Sequence, residues 1–336
     1  MASNVLLTDF DYVYPGQLAT NVLIKPALEH PDALQLFRVL TGIRSKRVLH
    51  LVNQLGKTVK GAQLCGNTRV PTGEGVSITN RTLEVDKLEL YLEQCYDVFE
   101  NTVMEELLKT GVEEADLSGT VIQGIINELI ATNLKSEFFR LFSFGDKDSG
   151  INDYYNSVDG LWPTLIDAAT TYEVQREADI TALSQTVGER TFDYLRTIHE
   201  NAPILLKQVP NNQKKFYVTG KMYENLMTTY EDTDMAAVGI TARVENGVMS
   251  LMFRGIDVVP VYAWDQWIEA DGLGNNCRML YTSTDNHVIG IENASDRDAY
   301  RVRLDEDLDI MKYRAKFKLG YNFVFGDFTV IKIGNV

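Results

Sequence analysis

The sequence predicts an α+β fold, because strand and helix patterns of unusual length occur in the same chain. Near its end, apolar and polar residues alternate without a break from Met311 to Phe323. A strand presents successive side chains to opposite faces, so this segment predicts one strand about twice the ordinary length. A second segment, from about 118 to 143, repeats apolar residues every three or four positions, which predicts a single helix of about 39 Å.

The long strand has two chemically different faces. The aromatic and aliphatic face is expected to pack on a core. The other face is basic, is open to water or to a partner, and consists of Lys312, Arg314, Lys316 and Lys318. We therefore expect these four side chains to make contacts between subunits. Gly326 and Asp327 then allow a turn into a second strand over 328–333, which is expected to form a pair with the first strand in one sheet.

Composition places the chain among folded proteins that remain in the compartment where they are made. The 336 residues are 45% hydrophobic and 24% charged, which suits two or three packed modules. No apolar run approaches the ~20 residues of a membrane span, and the first residues lack the pattern of a signal peptide. Cys65, Cys95 and Cys277 are odd in number and widely spaced, so we expect no disulfide framework and a reducing cytoplasm.

The charge of the chain is unevenly distributed. The net charge is −15, which argues against tight binding of nucleic acid because phosphate contacts depend on Lys and Arg. Residues 25–70 nevertheless contain eight basic and two acidic residues, a net charge of +6, which leaves −21 for the remainder. A basic segment on an acidic body suits association between copies, and a solvated basic face is an equal alternative.

The first half of the chain contains three segments of different composition before the long helix. Residues 1–55 contain three prolines and predict an arm in which 34–55 is a helix candidate. Residues 56–85 are punctuated by glycine and predict a two-stranded ribbon with too few apolar residues for a core of its own. The acidic segment 88–108 predicts a partly helical region that ends at Gly111.

The second half predicts a mixed module. The long helix is expected to end at Gly145, and a second amphipathic helix is expected between Ile180 and Ile198. A short strand over 215–218 leads into a helix that begins at Thr219. Four further strands are expected, with a tight reversal at Gly255, over 248–253, 256–262, 279–282 and 287–292.

No motif assigns a catalytic, cofactor-binding or metal-binding residue. The tripeptide at 56–58 matches the end of a phosphate-binding loop, but Leu51 stands where that loop needs glycine. The segment 272–277 lacks the third glycine of a dinucleotide fingerprint. Residues 146–157 resemble a calcium loop, but its glycine is one position early and its final glutamate is Ser157.

The order of arm, ribbon, long helix, mixed module and closing strands resembles the major capsid protein of tailed bacteriophages, which has the Hong Kong 97-like fold. The segments that carry the resemblance are DGLWPTLIDA (159–168), KKFYVTGKMYENLMTTYED (214–232), MSLMFRGIDVVPVYAW (249–264), HVIGIENASD (287–296) and the closing IMKYRAKFKLGYNFVFGDFTVI. They span nearly all of the chain after residue 55.

The resemblance implies a division of the chain into named parts. These are an N-terminal arm (1–55), an extended loop that lies across a neighbouring subunit (56–85), a peripheral domain (86–175) with a spine helix (117–144), an axial domain (176–292) and return strands of the peripheral domain (293–336). Lys57, Lys60 and Arg69 are expected to join the intersubunit contacts. Some family members cross-link a Lys to an Asn, but no motif here identifies the Asn, so that chemistry is not assigned.

The resemblance also implies a function. The chain is expected to form pentamers and hexamers of an icosahedral shell around a double-stranded DNA genome, assembled in the host cytoplasm and found in the virion. A separate scaffolding protein and a portal are implied partners, and the acidic charge implies only weak contact with the packaged DNA. Two alternatives remain open at this stage: an α+β enzyme with a carboxylate site, and a cellular nanocompartment shell built on the same fold.

Overall fold

The computed structural model of the chain describes residues 11–14, 36–52, 78–95, 121–148, 154–232, 239–245, 248–292, 300–305 and 310–336. Within these ranges the strands form a six-stranded sheet, a seven-stranded sheet and a two-stranded ribbon. Together with the helices they make the α+β fold that the sequence predicts. No helix in the same ranges combines the length and hydropathy needed to span a bilayer.

The strands are, in chain order, β1 (Asp11–Tyr14), β2 (Arg38–Leu40), β3 (Lys46–Val52), β4 (Ile78–Glu84), β5 (Asp86–Cys95), β6 (Gln175–Arg176), β7 (Lys214–Val218), β8 (Ile240–Glu245), β9 (Val248–Phe253), β10 (Ile256–Pro260), β11 (Cys277–Ser283), β12 (His287–Ile291), β13 (Tyr300–Asp305), β14 (Ile310–Phe323) and β15 (Thr329–Gly334). The α-helices are α1 (Val121–Phe144), α2 (Leu161–Thr170), α3 (Thr191–Asn201), α4 (Ile204–Gln208), α5 (Gly220–Asp232) and α6 (Tyr262–Asp271). Two 3₁₀ turns cover Asn211–Gln213 and Gly326–Phe328.

The 14-residue strand β14 is the centre of the six-stranded sheet, and its length confirms the prediction. β5 pairs with one edge of β14, while β13 and then β12 pair with the other edge, all antiparallel. β2 extends the sheet beyond β12, and β1 extends it beyond β13. The predicted alternation also holds: Tyr313, Ala315 and Leu319 are buried, whereas Arg314 and Lys316 are exposed.

Helix α1 covers the apolar face of this sheet. Phe138 of α1 meets Phe317 of β14 edge to face, with ring centroids 4.8 Å apart. Phe37 packs against both Phe142 and Tyr321, which joins the helix to the end of the strand. The helix ends at Phe144, as predicted. One prediction for its apolar face was wrong, since the Leu129 side chain is 60% exposed.

The seven-stranded sheet has the order β6-β15-β11-β7-β10-β9-β8. One face packs on α3 and α5 through a buried cluster that includes Phe216, Leu226 and Phe253. The opposite face contributes Tyr217 and Leu280 to the larger core that contains α1, α2 and α6. The hydrophobic core around α1 therefore includes side chains from both sheets.

The last strand lies in a different sheet from the one expected. β15 pairs with β11 and β6 of the seven-stranded sheet, so the predicted pairing with β14 was wrong. The 3₁₀ turn Gly326–Phe328 redirects the chain, and a Cβ at Gly326 would lie 2.0 Å from the Glu173 carbonyl oxygen. The turn is thus pressed against the segment after α2, and the chain emerges beside β11.

Two predicted helical segments are strands. β5 occupies part of the acidic segment 88–108, and β2 and β3 occupy much of 34–55. In β5, Leu88 is buried and Leu90 is partly buried, while Glu89 and Glu93 are exposed. Burial at alternate positions is typical of a strand with one face on the core and one face in water. Residues 96–120, with Gly111 and the predicted start of α1, lie outside the described ranges.

The second predicted amphipathic helix begins later than expected. Residues 177–190 are irregular, and only Thr191–Asn201 is helical. Gly188 has φ +95°, a conformation that ends any helix running through it. Val187, predicted to face inward, is 76% exposed, whereas Tyr194, Leu195 and Ile198 are buried as expected.

The rest of the mixed module agrees with the sequence prediction. β7 leads into α5, whose Met222 and Leu226 are fully buried. β9 and β10 form an antiparallel hairpin, and its turn places Arg254 and Gly255 at positive φ. β11 and β12 follow near the predicted positions.

Candidate assembly surfaces

The ribbon is formed by β3 and β4, in register from Lys46 opposite Glu84 to Val52 opposite Ile78. Its first strand begins ten residues before the predicted start at 56. The intervening residues 53–77, which include Lys57, Lys60 and Arg69, lie outside the described ranges. Only the base of the ribbon is therefore described.

The ribbon base crosses the six-stranded sheet at two glycines. Gly290 of β12 and Gly320 of β14 are directly opposite each other in the sheet. A Cβ at Gly320 would lie 1.8 Å from the Glu84 carbonyl oxygen, and one at Gly290 would lie 2.9 Å from a Leu83 methyl group. Real Cβ atoms do not approach backbone oxygen so closely, so the crossing requires glycine at position 320. We call this pair the glycine saddle.

Side chains around the glycine saddle fix the ribbon base to its own subunit. Ile43, Leu83 and Val288 form a small buried cluster beneath it. The Asn322 side-chain amide donates to the Thr82 carbonyl oxygen at 2.8 Å. The expectation that the ribbon gains order by lying on another surface is thus met, for its base, within the same chain.

A single arginine strengthens this attachment. The Arg81 guanidinium lies 3.8 Å from the centroid of the Phe323 ring and forms an ion pair with Glu173. Its side chain is only 20% exposed, and burial lowers its pKa. Partial desolvation increases the attraction in both the cation–π contact and the ion pair, and the cost of desolvating the guanidinium offsets part of that gain.

The basic face of β14 is largely neutralised by acids of the same chain. Lys312 pairs with Asp305, Arg314 pairs with Glu89, and Lys318 pairs with Glu292. Lys318 also donates to the Arg44 carbonyl oxygen at 2.8 Å. For Glu89 the signal is the period of two in β5, which places this glutamate on the same face as the bases, whereas Asp305 lies in β13 and Glu292 follows β12.

Lys316 differs from the other three bases. It has no ion pair with any residue in the described part of the chain, although Glu89 lies opposite it in the sheet register. It lines a shallow groove of about 370 Å³ together with Lys87, Glu89 and Glu292. The predicted intersubunit role of these four bases stays a prediction, and Lys316 is the base with most freedom to meet a partner.

A buried polar network joins the two sheets where the chain passes between them. Thr282 and Asn286 lie at the passage from β11 to β12, and Thr329 lies at the passage from β14 to β15. Asn286 donates to the Phe325 carbonyl oxygen and to Thr329 Oγ1, both at 2.8 Å. All of these polar side chains are buried. The network was not expected from the sequence, because its members are distant along the chain.

His287 is the titratable member of this network. Its Nδ1 lies 2.8 Å from the Tyr321 hydroxyl and its Nε2 lies 3.1 Å from Thr282 Oγ1. Thr282 donates its own proton to the Phe328 carbonyl oxygen, so it accepts from Nε2–H, and Nδ1 accepts from Tyr321. This arrangement needs the neutral imidazole, and complete burial lowers the pKa of His287 to about 3.

Three carboxylates that line clefts, Asp86, Asp159 and Asp265, have structural partners. Lys147 bridges Asp86 and Asp159 at the mouth of a cleft of about 320 Å³ between the ribbon base and α2. Burial and the nearby Asp146 raise the pKa of Asp167 in this cleft. Asp265 accepts from the backbone N–H groups of Gly220 and Lys221, which identifies it as the cap of α5. Among the described residues, no group of three or more His, Cys, Asp or Glu side chains converges on a metal position.

No protein-family model matches the sequence, and no curated protein matches it. Solved structures do match the fold. The chain superposes on a protein of the satellite phage P4 procapsid, which includes the size determination (Sid) protein, with a TM-score of 0.57 and 12% identity over 94% of this chain and 100% of that one. A protein of Mycobacterium phage Adephagia gives 0.53 with 10% identity over 89% and 88%.

A third match is the holo-SrpI encapsulin complex from Synechococcus elongatus, with a TM-score of 0.51 and 9% identity over 91% of this chain and 88% of that one. The chain therefore has the Hong Kong 97-like fold of phage major capsid proteins, over nearly its whole length.

Proposed function

We propose that this protein is the major subunit of an icosahedral shell that encloses a double-stranded DNA genome. The observation that carries the proposal is the agreement in fold with the phage P4 procapsid protein over 94% of one chain and all of the other. A shell subunit needs surfaces that reach its neighbours, and we infer that the residues between β3 and β4 provide one.

The two sheets define the parts of the proposed subunit. The six-stranded sheet with α1 forms the peripheral domain, and the seven-stranded sheet with α3 and α5 forms the axial domain at the centres of pentamers and hexamers. Because β12 belongs to the first sheet and β15 to the second, we move the proposed boundaries to place His287–Ile291 in the peripheral domain and Thr329–Gly334 in the axial domain. Residues 53–77 are the proposed extended loop over a neighbouring subunit.

The proposed partners follow from the same role. A separate scaffolding protein and a portal would guide assembly in the host cytoplasm, and the finished shell would be part of the virion. With a net charge of −15, the protein would hold packaged DNA only weakly, since like charges repel. We assign no catalytic residue, since three of the carboxylates in the clefts have structural roles: Asp86 and Asp159 are ion-pair partners of Lys147, and Asp265 caps α5.

A nanocompartment shell is the second candidate, and the match to the encapsulin complex favours it at a TM-score of 0.51. The two candidates differ in cargo. Particles that package nucleic acid support the capsid, whereas particles that package an enzyme support the nanocompartment.

Assembly of the purified protein tests the proposal. Expression together with a scaffolding partner should yield closed, hollow particles with icosahedral symmetry in electron micrographs, eluting in the void volume of a size-exclusion column. A strictly monomeric product under these conditions would rule out the shell function.

A further inference from the structure

The seven-stranded sheet has a positive and a negative end. β7 and β10 run parallel, so both strands begin at one end of the sheet and finish at the other. Each has five residues, which separates the two ends by about 17 Å. Lys214 and Lys215 begin β7 and Arg254 lies just before β10, whereas the helices that follow these strands, α5 and α6, are acidic.

The positive end collects bases from four elements. They are Arg196 of α3, Lys207 of α4, Lys214 at the start of β7 and Arg254 in the β9–β10 turn. The nearby acids are Glu200, which pairs with both Arg196 and Arg254, and Asp285 in the β11–β12 turn. The local net charge is therefore about +2, on a protein whose overall charge is −15.

Two lysines at this end are held by neutral atoms rather than by acids. Lys207 Nζ donates to the Glu200 carbonyl oxygen at 2.6 Å, and Lys214 Nζ donates to the Lys207 carbonyl oxygen at 3.3 Å. Neither lysine has an ion pair within the described ranges. Lys214 is also only 3% exposed. Their positive charge is thus fixed in place and not cancelled, whereas Lys312, Arg314 and Lys318 each face a carboxylate.

Arg254 is an exposed base whose guanidinium lies beside His199 and Glu200 of its own chain. It lies at the tip of the β9–β10 turn with φ +51°, an uncommon conformation for a residue with a side chain. The Asn211 side-chain amide donates to its carbonyl oxygen at 3.3 Å and supports the turn. The turn therefore holds the guanidinium at the surface, 40% exposed and 5.4 Å from the centroid of the Phe253 ring.

The negative end contains a concave surface. A cavity of about 600 Å³ lies between the start of α5 and the end of α6. Glu224 and Glu269 are exposed on its rim, and Asp265 lies deeper as the α5 cap. Lys221 is the single base in its lining, and it donates to the Val336 carbonyl oxygen. The local net charge is about −2.

We propose that the positive end of one subunit docks into the acidic cavity of a second copy of this chain, with Arg254 entering between Glu224 and Glu269. The contact joins two different surfaces, so it repeats from head to tail and closes a ring if the rotation per subunit permits. This inference rests on the proposed shell function, and it assigns the residues that join axial domains within one pentamer or hexamer.

A second copy is the partner that the charges favour. The net charges of the two ends are opposite in sign and similar in magnitude. Every copy of the chain has both ends, so the two surfaces are always present at equal concentration. A nucleic acid fits less well, because a patch of about +2 on a protein of −15 neutralises few phosphates. Charge complementarity across an interface contributes mainly to specificity and to association rate.

Charge reversal at each end, and at both ends together, tests the contact. The double variant Lys207→Glu/Arg254→Glu has two negative ends, and Glu224→Lys/Glu269→Lys has two positive ends. The variant with all four substitutions, called the fourfold variant, exchanges the signs of the charges at the two ends and keeps the net charge of the wild type. All four positions are exposed, and neither the α5 cap nor buried Lys214 is altered.

Each double variant should need at least about tenfold more protein to assemble than the wild type, and the fourfold variant should return to within about threefold. Melting temperature reports folding, and scattering reports assembly. Should the fourfold variant fail to fold, an equal mixture of the two double variants makes opposite-sign contacts only where the variants alternate, so it should form hexamers but not pentamers, whereas each double variant alone should form neither.

Two results would overturn the contact. One is wild-type assembly by either double variant. The other is a folded fourfold variant that does not assemble or, where that variant does not fold, an equal mixture of the two double variants that forms no hexamers. If the wild type itself stays monomeric with its scaffolding partner, the shell function fails instead, which is a separate outcome.

Discussion

Single residues decide how the elements of this protein cross one another. Gly320 interrupts the large side chains of β14 at the point where β4 passes over it, and His287 occupies the buried passage between the sheets. Neither residue has a role that its local sequence pattern reveals. Each depends on what the fold brings against it.

We predict that Gly320→Ala loosens the ribbon base. The new methyl group would require a shift of the Glu84 backbone, and such overpacking costs about 1–3 kcal/mol of unfolding free energy. Urea unfolding measures the loss. Gly274→Ala is the matched control, because a Cβ there meets no atom within 4 Å. Equal stability of the two variants would contradict the crossing described here.

We predict that His287 makes the protein sensitive to acid. Its pKa is about 3 when folded and about 6.5 when unfolded, so between these values only the unfolded chain binds the proton. Stability from this residue is therefore complete above pH 6.5 and falls as the pH falls towards 3, by on the order of 1 kcal/mol per pH unit.

The comparison with His287→Gln isolates this effect, since other groups titrate equally in both proteins. Unfolding free energy measured from pH 7 to pH 4.5 should fall more steeply in the wild type than in the variant. Parallel curves would mean that His287 is accessible to protons in the folded state.

At the scale of elements, the spacing of apolar residues predicted secondary structure correctly where a single pattern dominated the segment. β14, the end of α1, β7 and the β9–β10 hairpin lie where alternation, helical spacing or glycine places them. β5 was misread because its glutamates and leucines suit a helix in isolation. Its strand form is selected by pairing with β14, a contact across more than 200 residues of sequence.

We predict opposite effects at two neighbouring positions of β14. Phe317→Asp places a charge against Phe138 in the core and should cost several kcal/mol, a large share of the ~5–15 kcal/mol of a typical domain. Lys316→Glu lies on the exposed face beside Glu89 and should cost about 0.5 kcal/mol. Solubility and thermal melting distinguish the two.

Assembly adds a second measurement for this pair. If Lys316 meets an acidic neighbour, Lys316→Glu should slow assembly without lowering the melting temperature by more than a few degrees. A soluble, assembly-competent Phe317→Asp protein would contradict the assigned strand register.

At the scale of the whole molecule, the candidate surfaces were only partly predictable. Alternation alone was enough to find the basic face of β14, but its neutralisation by Glu89, Asp305 and Glu292 required the sheet order. The ribbon was expected from its glycines, whereas its attachment at the glycine saddle required the crossing of β4 over β14. Sheet order and crossings are long-range properties, so residue spacing does not encode them.

We predict that deletion of residues 59–74 abolishes assembly and leaves a folded subunit. The ribbon base keeps its own contacts at Leu83, Arg81 and Asn322, none of which involves the deleted residues. Circular dichroism and melting should resemble the wild type, while sedimentation should show only unassembled protein. Loss of cooperative melting would mean that the deleted segment packs on its own chain.

The passages β11–β12 and β14–β15 run side by side between the two sheets and are tied together by Asn286 and Thr329. In the proposed shell, a pull between the two sheets loads every segment that joins them, namely the passages β11–β12 and β14–β15 and the segment from β5 to β6. The hydrogen bonds of Asn286 tie the two passages together, so neither carries its share of the tension independently of the other.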